Sequence, residues 1–407
     1  MRRAALAFIF VTVLIDILAF GLIIPVLPHL VEELAGGDTR DAAFWVGVFS
    51  TTFAVIQFVC SPIQGTLSDR FGRRPVILIS SIGLGADFVL MALAPNLTVL
   101  LIGRILSAMT SASFTTANAY VADVVAPEER AKSYGLLGAA FGIGFVAGPA
   151  LGGWLGDIDL RLPFWFAGAL ATINFAYGLF VLPESLPVEK RLAKFDWRMA
   201  NPLGALGILR RYPAIWGLAA VIFFYNLAHY VYPSVFVLFA DYHFHWGPQE
   251  VGYVLAIVGV ASIVVQASLV GRIVKALGER RTILLGSLFG ATGFAIYGFA
   301  PNSQTFLLGI PVMAMWGVSS PATQALITRY VAPHEQGRMQ GAISGLTSLT
   351  GIIGPGLYTA VFSASIGEDA PIHLPGMPFV VASVLVAVTL GLAWRFARVP
   401  EPAASAA

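Results

Sequence analysis

The chain has 407 residues, of which 57% are hydrophobic and 11% charged; globular chains average ~45–50% and ~25%. That composition excludes a water-soluble globule, and a net charge of +2 with short, dispersed basic loops gives no footprint for nucleic acid. A single cysteine, Cys60, excludes an intramolecular disulfide framework and reads as a small buried apolar residue.

A bilayer crossing needs ~20 mostly apolar residues. Met1-Arg2-Arg3 precedes a first apolar run, 6–30, that is too long for the core of a signal peptide and lacks a clear cleavage site, so it is read as a retained span. Further spans are predicted at 44–67, 75–95, 98–121, 134–157 and 162–182, and a second group at 214–240, 249–274, 282–300, 305–327, 339–362 and 376–396. The fold class is therefore an all-α membrane protein of twelve transmembrane helices. Its predicted parts are an N-terminal six-helix bundle, 1–182, a linker, 183–212, and a C-terminal six-helix bundle, 213–407.

The basic residues orient the spans. Of 24 Lys and Arg, only Arg40 and Arg161 fall in loops on one side, and Arg104 lies inside a span. All the rest sit at the two ends, in the alternate loops or in the last residues of a span bordering them, including Lys190, Arg191, Lys194, Arg198, Arg210 and Arg211 of the linker. Positive charge marks the cytoplasmic face, so both ends are expected there.

The two halves repeat each other. Ala94-Pro95-Asn96 returns as Ala300-Pro301-Asn302, a shift of 206 residues, and the same shift carries Gly65 onto Gly271 and Gly72 onto Gly278. Gly103 falls on Gly309, Ala126-Pro127 on Ala332-Pro333, Gly135 on Gly341, and Gly148-Pro149 on Gly354-Pro355. Repeats of this kind build many secondary transporters, with cargo held between pseudo-symmetric bundles.

Asp16, Asp87, Arg104 and His229 are the ionisable side chains well inside spans. Each charge at mid-membrane costs at least ~2.5–3.5 kcal/mol, which makes such a residue a functional candidate. Asp87 lies eight residues before Pro95 and Arg104 six after Thr98. At ~1.5 Å per residue they reach ~12 and ~9 Å from the same boundary, so an ion pair is expected. Asp16 has no cation assigned to it. An unpaired carboxylate in a dry cleft takes up and releases a proton as water reaches it, so Asp16 and Asp87 are candidate proton carriers, with Arg104 tuning them. The second half is expected to have no buried acid in its spans, so coupling is expected to reside in the first half.

Polar groups at mid-span, Gln57, Asn118, Asn226, His229, Gln266 and Gln324, are set among Phe53, Phe58, Phe114, Phe141 and Trp316. An aromatic wall with a few amides suits a bulky amphipathic ligand better than a sugar or a phosphate. No nucleophile–base pair, metal cluster or phosphate loop is legible among the spans, so neither an enzyme nor a metal site is expected.

Between spans two and three runs Gly65-Thr66-Leu67-Ser68-Asp69-Arg70-Phe71-Gly72-Arg73-Arg74. Gly65 is expected to let two helices approach closely, Gly72 to allow a tight turn, and Asp69 to form a breakable latch. This loop resembles the signature of the major facilitator superfamily, Gly-x-x-x-Asp-Arg-x-Gly-Arg-Arg, and the resemblance adds Asp123 and Arg130 to the gating group. Its second copy, Gly271 to Arg281, is degenerate and has Lys275 in place of Asp69. In span five, Gly144, Gly148-Pro149 and Gly152-Gly153 resemble the antiporter signature of drug exporters in that superfamily. Asp16, the Gly21 to Pro28 stretch, Asp87, Arg104, Gly278-Glu279-Arg280-Arg281 and Phe244-His245-Trp246 resemble its tetracycline-exporter branch. The resemblance implies a monomeric, cofactor-free drug:proton antiporter of the bacterial inner membrane. The chain departs from that branch at Ser262, where a coupling histidine is expected, and from the superfamily at Ala108, usually glycine. The exporter class is thus implied more firmly than tetracycline as cargo, and the alternative is a proton-coupled transporter of a small metabolite, against which the span-five signature speaks.

Overall fold

The computed structural model describes residues 2–111, 113–125, 130–193, 209, 212, 215–331, 335–367 and 370–398. Among these residues every regular element is helical and none is a strand. In lipid each backbone N–H and C=O must find its partner within the segment, and only a helix does this locally.

The first elements are α1 (Arg2–Ile23), α2 (Leu27–Leu34), α3 (Thr39–Phe71), α4 (Arg73–Leu93), α5 (Leu97–Thr110), α6 (Ser113–Val124), α7 (Arg130–Ile158) and α8 (Leu162–Val181). There follow α9 (Trp216–His229), α10 (Val231–Phe244), α11 (Pro248–Val264), α12 (Val270–Gly298), α13 (Ser303–Ala314), α14 (Ser319–Tyr330), α15 (Gln336–Ile366) and α16 (Met377–Phe396). A π-helical turn, Val265–Leu269, joins α11 to α12, and a 3-10 turn, Met315–Val318, joins α13 to α14.

Ten helical stretches are long and apolar enough to cross a bilayer, and Ile9–Ile23 with Leu27–Leu34, bent by 41°, makes an eleventh. Pro25 sits in that break. One of the ten, Pro248–Gly298, has 51 residues. Its ~77 Å at 1.5 Å per residue far exceeds a ~30 Å hydrocarbon core. The backbone breaks inside it at Gly278, with φ 75°, so the expected eighth and ninth spans run into one another through a glycine turn. Large apolar side chains lie outward, among them Phe180 at 83% and Leu308 at 75% exposure, as a lipid-facing surface requires.

By internal packing the chain divides into Met1–Pro202 with Ala240–Gly259, and Leu203–Phe239 with Val260–Ala407. In the first unit α1 packs on α7 and α8, and α4 on α8 and α5. In the second α9 packs on α15 and α16, and α12 on α16 and α13. The partner pattern is the same when read through the 206-residue shift. Local geometry repeats too: Asn96 and Asn302 cap α5 and α13, accepting from Val99 N at 3.0 Å and Thr305 N at 2.9 Å. Gly72 and Gly278 have φ of 107° and 75°, a region that a β-carbon disfavours. Cys60 is half-buried rather than enclosed. Of the linker's basic residues, Lys194, Arg198, Arg210 and Arg211 lie outside the described residues.

Candidate proton-coupling, gating and substrate sites

Arg104 Nη1 lies 3.2 Å from Asp87 Oδ2, the pairing expected from depth. Asp87 is fully buried and Arg104 7% exposed. α4 and α5 can bring the two together because Gly103 has no side chain: a β-carbon there would press on Asp87 Oδ1 at 2.8 Å. The guanidinium lies 4.5 Å over the Phe53 ring, a contact that favours a cation in a dry setting. Asp16, 7% exposed, corrects the expectation of an unpaired acid. Asn174 of α8 donates to its Oδ1 at 2.8 Å and to Thr12 O at 3.1 Å. An amide can follow a carboxylate through both protonation states, donating to one and accepting from the other. Nothing near Asp16 in sequence signals Asn174, 158 residues away.

The gating loop closes on Arg73. Its Nη1 reaches Asp69 Oδ1 at 2.5 Å and Ser68 Oγ at 3.0 Å, and its Nε reaches Asp123 Oδ2 at 3.0 Å. Asp69 thus pairs with an arginine of its own motif. Glu184, which sequence reading missed, accepts from Arg73 N at 2.8 Å, Arg74 N at 3.3 Å, Ser185 N at 2.9 Å and Leu186 N at 3.0 Å. Its carboxylate fills the space beside Gly72. Arg74 donates to Leu179 O, while Arg70 lies over Phe71. The role expected of Gly65 is corrected: a β-carbon there would meet nothing within 4 Å, so it is not a close-packing position. Arg130 begins α7, but its side chain lies outside what is described.

The second copy of this loop carries an ion pair that was not foreseen. Glu279 and Arg329 bond to each other, and the 206-residue shift places Glu279 on Arg73 and Arg329 on Asp123. Lys275 stands on Asp69. All three charges are reversed and the pair survives. Glu279, 9% exposed, is a buried acid that lies between the predicted eighth and ninth spans rather than inside either.

The glycines of span five do what their spacing predicts, along α1. β-Carbons on Gly144, Gly148 and Gly152 would collide with Ile17 and Leu18, with Gly21, and with Leu22 O respectively. Gly153 meets Pro248 and Gly252 of α11, and Pro149 lies inside the continuous α7.

The substrate candidates fall into separate sets. In the first unit Gln57 donates to Ser111 Oγ at 2.6 Å, Phe58 and Asn118 are half-buried, and exposed Phe141 stacks on Phe145 at 5.8 Å. In the second, Trp316 is buried against Tyr225 at 4.3 Å and Phe294 at 5.1 Å, with exposed His229 at 5.8 Å. Asn226 turns its amide onto Ile222 O of its own helix. Gln266 is exposed in the π turn, and Gln324 accepts from Gln340 at 3.1 Å. The Phe114 side chain and residues Pro127 and Pro333 lie outside the described residues. At the ends of the predicted first and seventh spans, His29, Glu32 and Asp241 converge with their ligand atoms within 4.8 Å of one another, a grouping that the sequence reading did not single out.

A helical membrane protein with acids and an arginine buried among its spans, and ion-paired loops between them, has the make-up of a secondary transporter. Residues 9–320 and 227–407 match the model of the Major Facilitator Superfamily, and the chain belongs to that family. It is 37% identical over 361 residues to the class C tetracycline resistance protein of Escherichia coli, covering 89% of this chain and 90% of that one. It is 35% identical to the class G protein of Vibrio anguillarum, covering 97% and 98%. With multidrug resistance protein 2 of Bacillus subtilis it shares 30% identity over 93% and 92%. Among solved structures, the human organic anion transporter MFSD10 aligns with a TM-score of 0.70 at 23% identity, covering 96% and 99%. A peptide transporter aligns at 0.78 and 14%, covering 98% and 96%; at these identities the likeness concerns the fold alone.

Proposed function

We propose that this protein is a proton-coupled exporter of bulky amphipathic drugs, exchanging drug for proton by alternating access. The observation that carries the reading is the set of ionisable groups inside the first unit: Asp87 on Arg104, and Asp16 on Asn174. The resistance proteins it is similar to support drug as the cargo class. Protonation at Asp16 or Asp87 from outside disfavours substrate and the outward state; loss of the proton inward readmits substrate. A potential of ~100 mV supplies ~2.3 kcal/mol per charge, and one pH unit adds ~1.4 kcal/mol. For one proton this sustains a gradient of several hundredfold at most, by the ~1.4 kcal/mol that each factor of ten costs.

In this reading the 51-residue helical stretch makes two crossings, which brings the spans to twelve. They form two six-helix bundles, 1–182 and 213–407, with both ends and the 183–212 linker in the bacterial cytoplasm. The substrate-binding residues are Gln57, Phe58, Asn118 and Phe141 of the first unit and Asn226, His229, Gln266, Trp316 and Gln324 of the second. The test is proton-driven drug uptake into everted vesicles. Asp16→Asn and Asp87→Asn are expected to abolish coupling, compared per amount of folded protein; unchanged coupling in both overturns the assignment.

A further inference from the structure

His29 and Glu32 lie one turn apart on α2, so both side chains leave the same face of the helix. Asp241, in the last turn of α10, completes the group, and all three belong to the first packing unit. His29 Nδ1 stands 3.5 Å from Asp241 Oδ2. That is too long for a good hydrogen bond. It is close to the ~3.3 Å edge of a tetrahedron built on ~2.0–2.1 Å metal–ligand bonds.

The His29 side chain is 10% exposed, which keeps bulk water from its ring. Two further observations, made among the described residues, favour a cation. Among those residues no Lys or Arg pairs with Glu32 or Asp241, so two carboxyl groups within hydrogen-bonding reach of each other face only imidazole. Thr39 Oγ1 donates to Glu32 Oε1 at 2.5 Å. This fixes the carboxylate through the kind of supporting contact that metal-ligating carboxylates characteristically have.

We propose that His29, Glu32 and Asp241 bind a first-row divalent transition-metal ion of the Zn²⁺ class, with water completing the shell. An imidazole beside two carboxylates selects such an ion over Mg²⁺ or Ca²⁺, which prefer all-oxygen shells. The site shares no residue with the proton-coupling or gating groups, so it stands independently of the transport reading.

The test uses the full chain, purified metal-free in lipid nanodiscs and titrated with Zn²⁺ alone. One saturable Zn²⁺ per chain is expected, undisplaced by a roughly hundredfold excess of Mg²⁺. His29→Gln should weaken binding at least tenfold, and Thr39→Ala by ~10–100-fold, as loss of a supporting contact does. His373→Gln, in an exposed loop, should leave affinity unchanged. Absence of saturable binding, or equal affinity in His29→Gln, overturns the proposal. Should His29→Gln fail to give monodisperse protein, Asp241→Asn is read by the same criterion.

Discussion

Reversing the charge of the gating motif should be tolerated only when all its members are reversed together. Arg73 serves three oxygens at 2.5–3.0 Å, and its side chain and those of Asp123 and Asp69 are 10%, 19% and 36% exposed. Arg73→Glu would set a third carboxylate against two others and leave all of them without their cation. Losing one partner of a largely buried pair costs ~3–5 kcal/mol, and like-charge contact adds to this. The triple change Asp69→Lys, Arg73→Glu, Asp123→Arg reproduces the charges of Lys275, Glu279 and Arg329. It should recover ~2 kcal/mol or more of that loss, the scale of coupling within one charge network. Recovery stays incomplete because Glu184, which binds the backbone of residues 73 and 74, has no counterpart: the shift places Leu390 there. In the second half the Arg329 side chain is 52% exposed, so Glu279→Arg should cost only ~1 kcal/mol or less. Unfolding of the purified variants, followed by tryptophan fluorescence, gives all the terms of the cycle. If the triple variant falls within ~0.5 kcal/mol of the sum of its single changes, the charges do not act as a unit and the reasoning fails.

Gly72→Ala should destabilise by ~2 kcal/mol or more, through its positive φ and the Glu184 carboxylate. Gly65→Ala should be neutral, or stabilising by up to ~1 kcal/mol, since helix propensity is gained and nothing is struck; thermal unfolding of both variants checks the contrast. Gly152→Leu should abolish assembly of folded protein in membranes, because α7 can no longer seat on Leu22 of α1; normal yield would refute this. Asp87→Asn should cost ~3–5 kcal/mol by stranding Arg104. Adding Arg104→Gln should restore stability without restoring coupling, which melting and vesicle transport measure separately.

Much of this was legible in the chain itself. Span positions follow from apolar length, a property of consecutive residues. Depth along neighbouring antiparallel helices sufficed to pair Asp87 with Arg104. Small residues at fourth positions marked the α7 face that meets α1. What stayed hidden depends on contacts between residues far apart in sequence. Asn174 reaches Asp16 across 158 residues, Glu184 reaches Arg73 across 111, and Asp241 meets an α2 pair more than 200 residues earlier. Gly65 misled because a motif glycine was read as a packing glycine, and only the space around its Cα distinguishes the two.

The charge reversal between halves explains why the second motif copy looked degenerate. Position by position, Lys275, Glu279 and Arg329 match nothing in Asp69, Arg73 and Asp123, yet Glu279 still binds Arg329. Coulomb attraction depends on the product of two charges, so exchanging both signs leaves the pair energy unchanged. The fold therefore constrains the pair and its glycine turn, at Gly72 and again at Gly278, more than the sign at each position. Sign matters where a third group reads it. In the first half Glu184, anchored on four backbone N–H groups, lies beside the Arg73 network; the second has leucine at that place. The half that holds Asp16 and Asp87 within its helices is thus also the half whose loop polarity is locked. Reversing the second-half pair by Glu279→Arg with Arg329→Glu should then leave transport close to wild type. The matching first-half exchange, Arg73→Asp with Asp123→Arg, should slow it severely even where folded protein is recovered. Equal transport in the two exchanged proteins would show that Glu184 reads no sign.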